Sequence, residues 1–150
     1  MPVVSVTRLH LASFWSLPAF LAHTLRSSRQ ARRSPGFITG WLSNDSERAF
    51  WTSTVWESAE AMRAFRNSGP HLKAMPKLLR WCDEGSFVHW EQQDDGAPSP
   101  AAAYERLSRD GKVSKVDAPS ARQQAHATVG AAPPRPGQVL KARPLGGAKR

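Results

Sequence analysis

The 150-residue chain is short of cysteine, of tyrosine and of acidic residues, and these shortages remove several classes of function. Cys82 stands alone, so neither an intramolecular disulfide nor a cysteine-based metal site is available. No G-x-S-x-G turn occurs and no histidine pattern accompanies Cys82, which removes the local signatures of a nucleophilic triad. No glycine-rich loop follows a strand-like segment, so a nucleotide phosphate has no local cradle. His10, His23, His71, His89 and His126 are scattered without an H-x-x-x-H spacing, and a zinc site is not expected. The most apolar stretch, LHLASFWSLPAFLAH, is broken by His10, Ser13, Ser16 and Pro18 and falls short of the ~20 residues of a membrane helix. A cytoplasmic protein with no membrane partner is expected.

Aromatic residues all but vanish from the last third. All six Trp and all six Phe lie between Phe14 and Trp90, whereas Tyr104 is the single aromatic after Glu91. Seven of twelve prolines and six of ten glycines fall after Gln93. Residues 1–92 can therefore bury a core, while the remainder offsets little of its ordering entropy. Charge is uneven but not concentrated: the net +9 divides into 11 basic against 7 acidic residues over 1–92 and 10 against 5 over 93–150. Such a surface tolerates anionic partners without specifying one. The one cluster, Arg26, Arg29, Arg32 and Arg33, ends a predicted helix, where cations are favoured anyway.

Periodicity supplies the rest. VVSVTRLHL (Val3–Leu11) is a β-branched strand, and the Leu17, Phe20, Leu21, Leu25 spacing gives a helix opened by Ser16 and Pro18. GFITGWLS and RAFWTSTVW form two strands around the turn NDSE. Ser58 caps a second helix bearing Ala61, Met62 and Phe65; it ends at Ser68-Gly69, resumes at Pro70 and meets Pro76, where a kink or a restart is expected. SFVHWEQ is a fourth strand. The order β-α-β-β-α-β predicts an α+β, ferredoxin-like fold with a four-stranded antiparallel sheet over residues 1–92. Residues 93–121 are expected to add an extension with one short helix capped by Ser99, and 122–150 a disordered basic tail. Neither face of the predicted sheet alternates apolar with polar residues as a wet face does, so its second face should be covered by another copy of the sheet, giving a homodimer.

His71, in the first turn after Pro70, is the sharpest functional candidate. The positive end of a helix dipole favours its neutral imidazole, the form that takes a proton or ligates haem iron. Arg8, on a central strand, needs a carboxylate, a solvent path or a ligand anion, with Glu57 and Glu91 the available acids, and is the second catalytic candidate. Trp51, Trp41, Trp56, Phe65 and Met75 are candidate ligand contacts. An RNA-binding reading of the sheet fits poorly, because the RNP1 glycines are missing and Ser5 stands where a stacking aromatic is needed.

The segment FWTSTVWESAEAMRAFRNSGPHLKAMPKLLRWCDEGSFVHWEQ (Phe50–Gln92) resembles a bacterial family related to spheroidene monooxygenase, within the dimeric α/β-barrel superfamily of antibiotic-biosynthesis monooxygenases and haem-degrading enzymes. The likeness rests on the aromatic strand ending W-E-S, the helix ending F-R-x-S-G and the following H-x-x-A-M. It implies a homodimer with a pocket in each protomer that takes a bulky apolar molecule, with haem or with no prosthetic group. At the position of the proximal histidine of haem-degrading members stands Met75, and Phe65 replaces the associated tryptophan; His71 would be the metal ligand if haem is bound. The expected function is monooxygenase-like. The alternative is a non-catalytic dimeric ligand-binding protein on the same scaffold.

Overall fold

Alternation along Val3–Leu11 places Val4, Val6 and Arg8 on one side of the first strand, β1, and Ser5, Thr7 and Leu9 on the other. The structure, a computed structural model, describes residues 1–142. After a 3-10 turn at Phe14–Ser16 come α1 (Leu17–Arg33), β2 (Phe37–Asn44), β3 (Ala49–Trp56), α2 (Ala59–Arg66), α3 (Gly69–Trp81) and β4 (Cys82–Glu91). These follow the expected ferredoxin-like order, with β1 between β3 and β4 in antiparallel register. Helix starts obey the capping chemistry only in part. Ser58 accepts from the Ala61 N–H at α2, while Ser16 makes no side-chain cap and Ser13 caps the 3-10 turn instead. Pro76 lies inside α3 without ending it.

Among the described residues the sheet has six strands rather than the four expected, in the order β5-β4-β1-β3-β2-β6. The two extra edge strands, β5 (Lys112–Val113) and β6 (Gln138–Lys141), come from the region after Gln92. Before β5 comes α4 (Pro100–Asp110), capped by Ser99, and between β5 and β6 lies the short α5 (Ala121–Gln124), capped by Ser120. The expected disorder of 122–150 is thus corrected for its described part: β6 pairs with β2 from Thr39↔Lys141 to Leu42↔Gln138. Residues 143–150 of that expected tail lie outside the described residues. Composition misled because this segment contributes backbone hydrogen bonds and one buried leucine, Leu140, to a sheet built elsewhere.

The second correction concerns the far face. Val4, Val6, Trp41, Trp51, Val55 and Val88 form a core with Ala103 and Leu107 of α4, and both α4 residues are fully buried. The cover that the strand pattern assigned to a second copy is therefore supplied by the same chain. Burial of apolar area is indifferent to which chain provides it, so a strand pattern alone cannot tell the two apart.

An ion cluster fastens this cover. Arg8 donates to Glu84 at 2.8 Å and lies 3.4 Å from both Asp45 and Glu47. Asp45 also accepts from the Trp51 indole at 2.9 Å and from the amides of Glu47 and Ala49, closing the β2–β3 turn, where Arg48 takes φ 65°. From the C-terminal side, Ser120 donates to Glu84, Arg122 to Glu47, and Arg135 to the Asp45 carbonyl.

Candidate active site

The opposite face of the sheet carries the cavity. Its floor is made of short side chains on the three central strands: Ser5 lies between Thr54 and His89, and Thr7 between Thr52 and Phe87. Hydroxyls of this size do not fill the space beneath α1 and α3, and a cavity of about 470 Å³ remains. That volume lies within the usual range of small-molecule sites. None of the four hydroxyls has a side-chain hydrogen-bond partner among the described residues. Phe20, Trp56, Met62, Phe65 and Met75 supply apolar walls. Trp56 is fully buried, stacked on Phe65 at 5.0 Å and edge-on to Phe37, and its indole N–H has no partner.

His71 borders this cavity at the third position of α3. The sequence break that precedes it is held by one residue of α1. Gln30 accepts from the His71 N–H at 2.8 Å, and its amide donates to the carbonyls of Ser68 and Phe65 at 2.7 and 3.1 Å. It thereby gives the first-turn His71 N–H the partner a helix start leaves missing, and adds a second donor to two carbonyls that already accept from backbone. The His71 ring tilts against Phe65 at 4.7 Å, and its Nδ1 lies 3.2 Å from the Arg66 carbonyl. A carbonyl only accepts, so Nδ1 carries the proton and Nε2 keeps its lone pair. Burial lowers the His71 pKa most; the carbonyl contact works against that, and the Arg66 charge adds to it.

Two further histidines border the cavity. The His89 pKa is lowered by partial desolvation at the cavity mouth and then by Arg66, and that of His23 by desolvation, Lys77 and Arg26. His23 Nε2 lies 3.5 Å from the Lys77 ammonium, and its buried Nδ1 has no partner. The sequence scattered these histidines over α1, α3 and β4; the fold brings all three to one cavity, neutral at neutral pH. They do not converge on one point. Among the described residues, the one group of at least three His, Cys, Asp or Glu close enough to share an ion is His10, Asp83 and Glu84, away from the cavity. There Glu84 is engaged by Arg8 and Ser120, and His10 by Asp83 at 2.7 Å. Cys82 is buried with its thiol pushed up to about 12 by burial and by Asp83, which leaves it inert.

Of the expected site residues, His71, Trp56, Phe65 and Met75 meet at the cavity. Arg8 does not: it is buried on the opposite face and paired with Asp45, Glu84 and Glu47, not with Glu57, Glu91 or a ligand. Trp41 also belongs to the far core, its indole donating to the Pro98 carbonyl. Trp51 touches the cavity boundary, but its indole is bound to Asp45 and stacks on Tyr104 of α4. No motif in the sequence marks Gln30, Arg66, Thr7, Thr52 or Thr54 as site residues, and His23, His89 and Ser5 come forward only for a zinc or RNA site that they do not form. A signal for the floor existed, in the small residues Ser5, Thr7, Thr52 and Thr54 at alternate positions where a filled core would carry Val or Ile.

Residues 14–77 match the model of the antibiotic biosynthesis monooxygenase family. Among solved structures, SnoaB, a cofactor-independent oxygenase from Streptomyces nogalater, is similar at 17% identity and a TM-score of 0.53, over 62% of this chain and 94% of that one. Rv0793 from Mycobacterium tuberculosis gives 14% and 0.58, over 64% and 99%. A conserved protein from Methanosarcina mazei Go1 gives 10% and 0.56, over 62% and 94%. Among curated proteins nothing matches. The fold is thus a ferredoxin-like α+β fold shared with these structures, with additional strands at both edges. Among the described residues no helix is long and apolar enough to cross a membrane.

Proposed function

We propose that the chain is a monooxygenase-like enzyme acting on a bulky, electron-rich apolar molecule held between the sheet and the helices, with His71 as general base. One observation carries this reading: a neutral imidazole, its Nδ1 proton engaged by a backbone carbonyl, keeps its Nε2 lone pair beside a cavity of about 470 Å³. In the cofactor-free form of the reaction, Nε2 takes a proton from an activated phenol or the carbon acid conjugated with it. The resulting anion is the electron donor to dioxygen. A methylene then becomes a carbonyl: one oxygen atom enters the product, the other leaves as water, and the substrate supplies all four electrons. Phe20, Phe65 and Met75 hold the substrate and exclude water. The match over residues 14–77 and the fold shared with a cofactor-independent oxygenase support this chemistry. The W-E-S and H-x-x-A-M motifs support kinship with relatives of spheroidene monooxygenase.

A second reading, haem binding, is favoured by the same His71 contact. An imidazole whose Nδ1 is held by a carbonyl is oriented and made more basic for metal ligation at Nε2. Bound haem would supply the oxygen activation, and His71 would hold it.

Oxygen uptake with a series of electron-rich phenols, for the native protein and His71→Ala, tests the first reading. A loss of about 10²–10⁴-fold in the variant is expected of a general base. Uptake equal in both proteins removes His71 from the mechanism. A haemin titration followed by absorbance separates the second: saturable binding with a coordination band lost in His71→Ala establishes ligation.

A further inference from the structure

The cavity has a one-sided charge. The described residues that line it are apolar, hydroxylic, histidine or cationic, and no aspartate or glutamate is among them. The two permanent charges are Arg66 and Lys115, and neither forms an ion pair among the described residues. Lys115 is exposed, and with His89 and Met75, also exposed lining residues, it marks the mouth. Arg66 is different. It is the last residue of α2 and half-buried, whereas Arg63, one turn earlier, is exposed. Arg66 therefore brings to the cavity a guanidinium that no carboxylate among the described residues engages, and a ligand anion there would meet no competing acid.

The surroundings of Arg66 agree. Its charge depresses both His71 and His89, which places the guanidinium within electrostatic reach of both rings. The floor offers further donors in the unpartnered hydroxyls of Ser5, Thr7, Thr52 and Thr54, while the walls are aromatic and aliphatic.

We propose that the ligand of this cavity is an apolar monocarboxylate, whose charged group pairs with Arg66 near the mouth while its ring or chain lies among Phe20, Phe65 and Met75. The proposal rests on reading the cavity as the ligand site and adds a specificity residue. A guanidinium takes a carboxylate in a bidentate pair, fixing orientation as well as charge. The fixed end sets which part of the apolar body comes under His71. A cationic ligand has no counter-charge here and is rejected.

A matched pair of fluorescent probes tests it: 1-pyrenebutanoate and the uncharged 1-pyrenebutanol, titrated into the full chain and followed by quenching of tryptophan emission. The acid is expected to bind about tenfold more tightly than the alcohol at neutral pH. In Arg66→Met the preference should shrink to roughly twofold with alcohol binding retained, and Arg66→Lys should keep most of it. The Arg66 carbonyl that holds His71 is backbone and survives both substitutions. Equal affinities for acid and alcohol in the native protein, or a preference unchanged in Arg66→Met, overturn the proposal while leaving the cavity reading intact. Binding of neither probe overturns both.

Discussion

Replacing Arg8 with methionine is the most direct test of where the chain invests its buried charge. Arg8 is 1% exposed, Asp45 2% and Glu84 8%. In the native cluster, three carboxylates (Asp45, Glu47, Glu84) meet two guanidiniums (Arg8, Arg122). Methionine keeps most of the volume and leaves three carboxylates against one cation. Breaking a buried pair from one side costs about 3–5 kcal/mol. For a chain of this size that lowers Tm by about 10 °C. Acid titration gives the second readout. Burial pushes the Asp45 carboxyl up, but the Trp51 indole, the Ala49 and Glu47 amides and the Arg8 charge outweigh it, and the net shift is downward. Glu84 is also lowered: burial raises it, and the Arg8 and Ser120 contacts overcome that. A folded-state pKa below the unfolded one stabilises the fold above the ordinary carboxylate range, and this contribution is lost as pH falls through the lowered values. In the variant the desolvation remains while the Arg8 contribution is gone, so protonation relieves strain. The gap between native and variant stability should therefore narrow as pH falls from about 7 toward 5. Urea denaturation at both pH values measures it. A loss below about 1 kcal/mol, the range of solvated pairs, or an unchanged gap at the two pH values, refutes the buried-cluster reasoning.

Two further outcomes follow from the packing. Leu107→Ala should cost about 2–5 kcal/mol in thermal or urea unfolding, because α4 covers the far face in the same chain; a cost near zero means that something else covers that face. Gln30→Leu strands the His71 amide, while the Phe65 and Ser68 carbonyls keep backbone donors, and should cost about 1 kcal/mol. In the native protein the His71 imidazole should titrate below its ordinary 6.5 by NMR, and a value above that contradicts its burial.

The four core strands and three helices were legible because each carries its own period and its own punctuation. The Ser58 cap, the Ser68-Gly69 break and the Pro70 restart stand where local chemistry puts them. Arg8 was recognised as needing a partner, but its acids, Asp45 and Glu84, lie 37 and 76 residues away and no local pattern connects them. The extension from Gln93 was misjudged for a related reason. Leu107, Leu140 and Tyr104 are few, yet each finds an apolar surface already formed, so little hydrophobicity suffices to order the segment. The cavity was hidden because it arises from what four hydroxylic side chains fail to fill. His71 drew notice by its place after a proline, whereas Gln30, which holds it, sits in an unremarkable polar helix position.

That the extension both covers a sheet face and supplies two edge strands has a consequence in time. The β2–β6 pairs join positions about a hundred residues apart, and Arg32 reaches the Lys141 carbonyl at 2.8 Å across 109 residues. Translation delivers the whole ferredoxin-like core before any of the chain that seals it. At ~5–20 residues per second, the stretch from Gln93 to Lys141 takes about 3–10 s to emerge. During that interval Val4, Val6, Trp51 and Val55 present an open apolar plane, and β2 and β4 present bare edges. Nascent chains on one polysome are then the nearest partners on offer. Slowing initiation relative to elongation, or lowering temperature during expression, should raise the yield of native protein more than any change made to the purified chain.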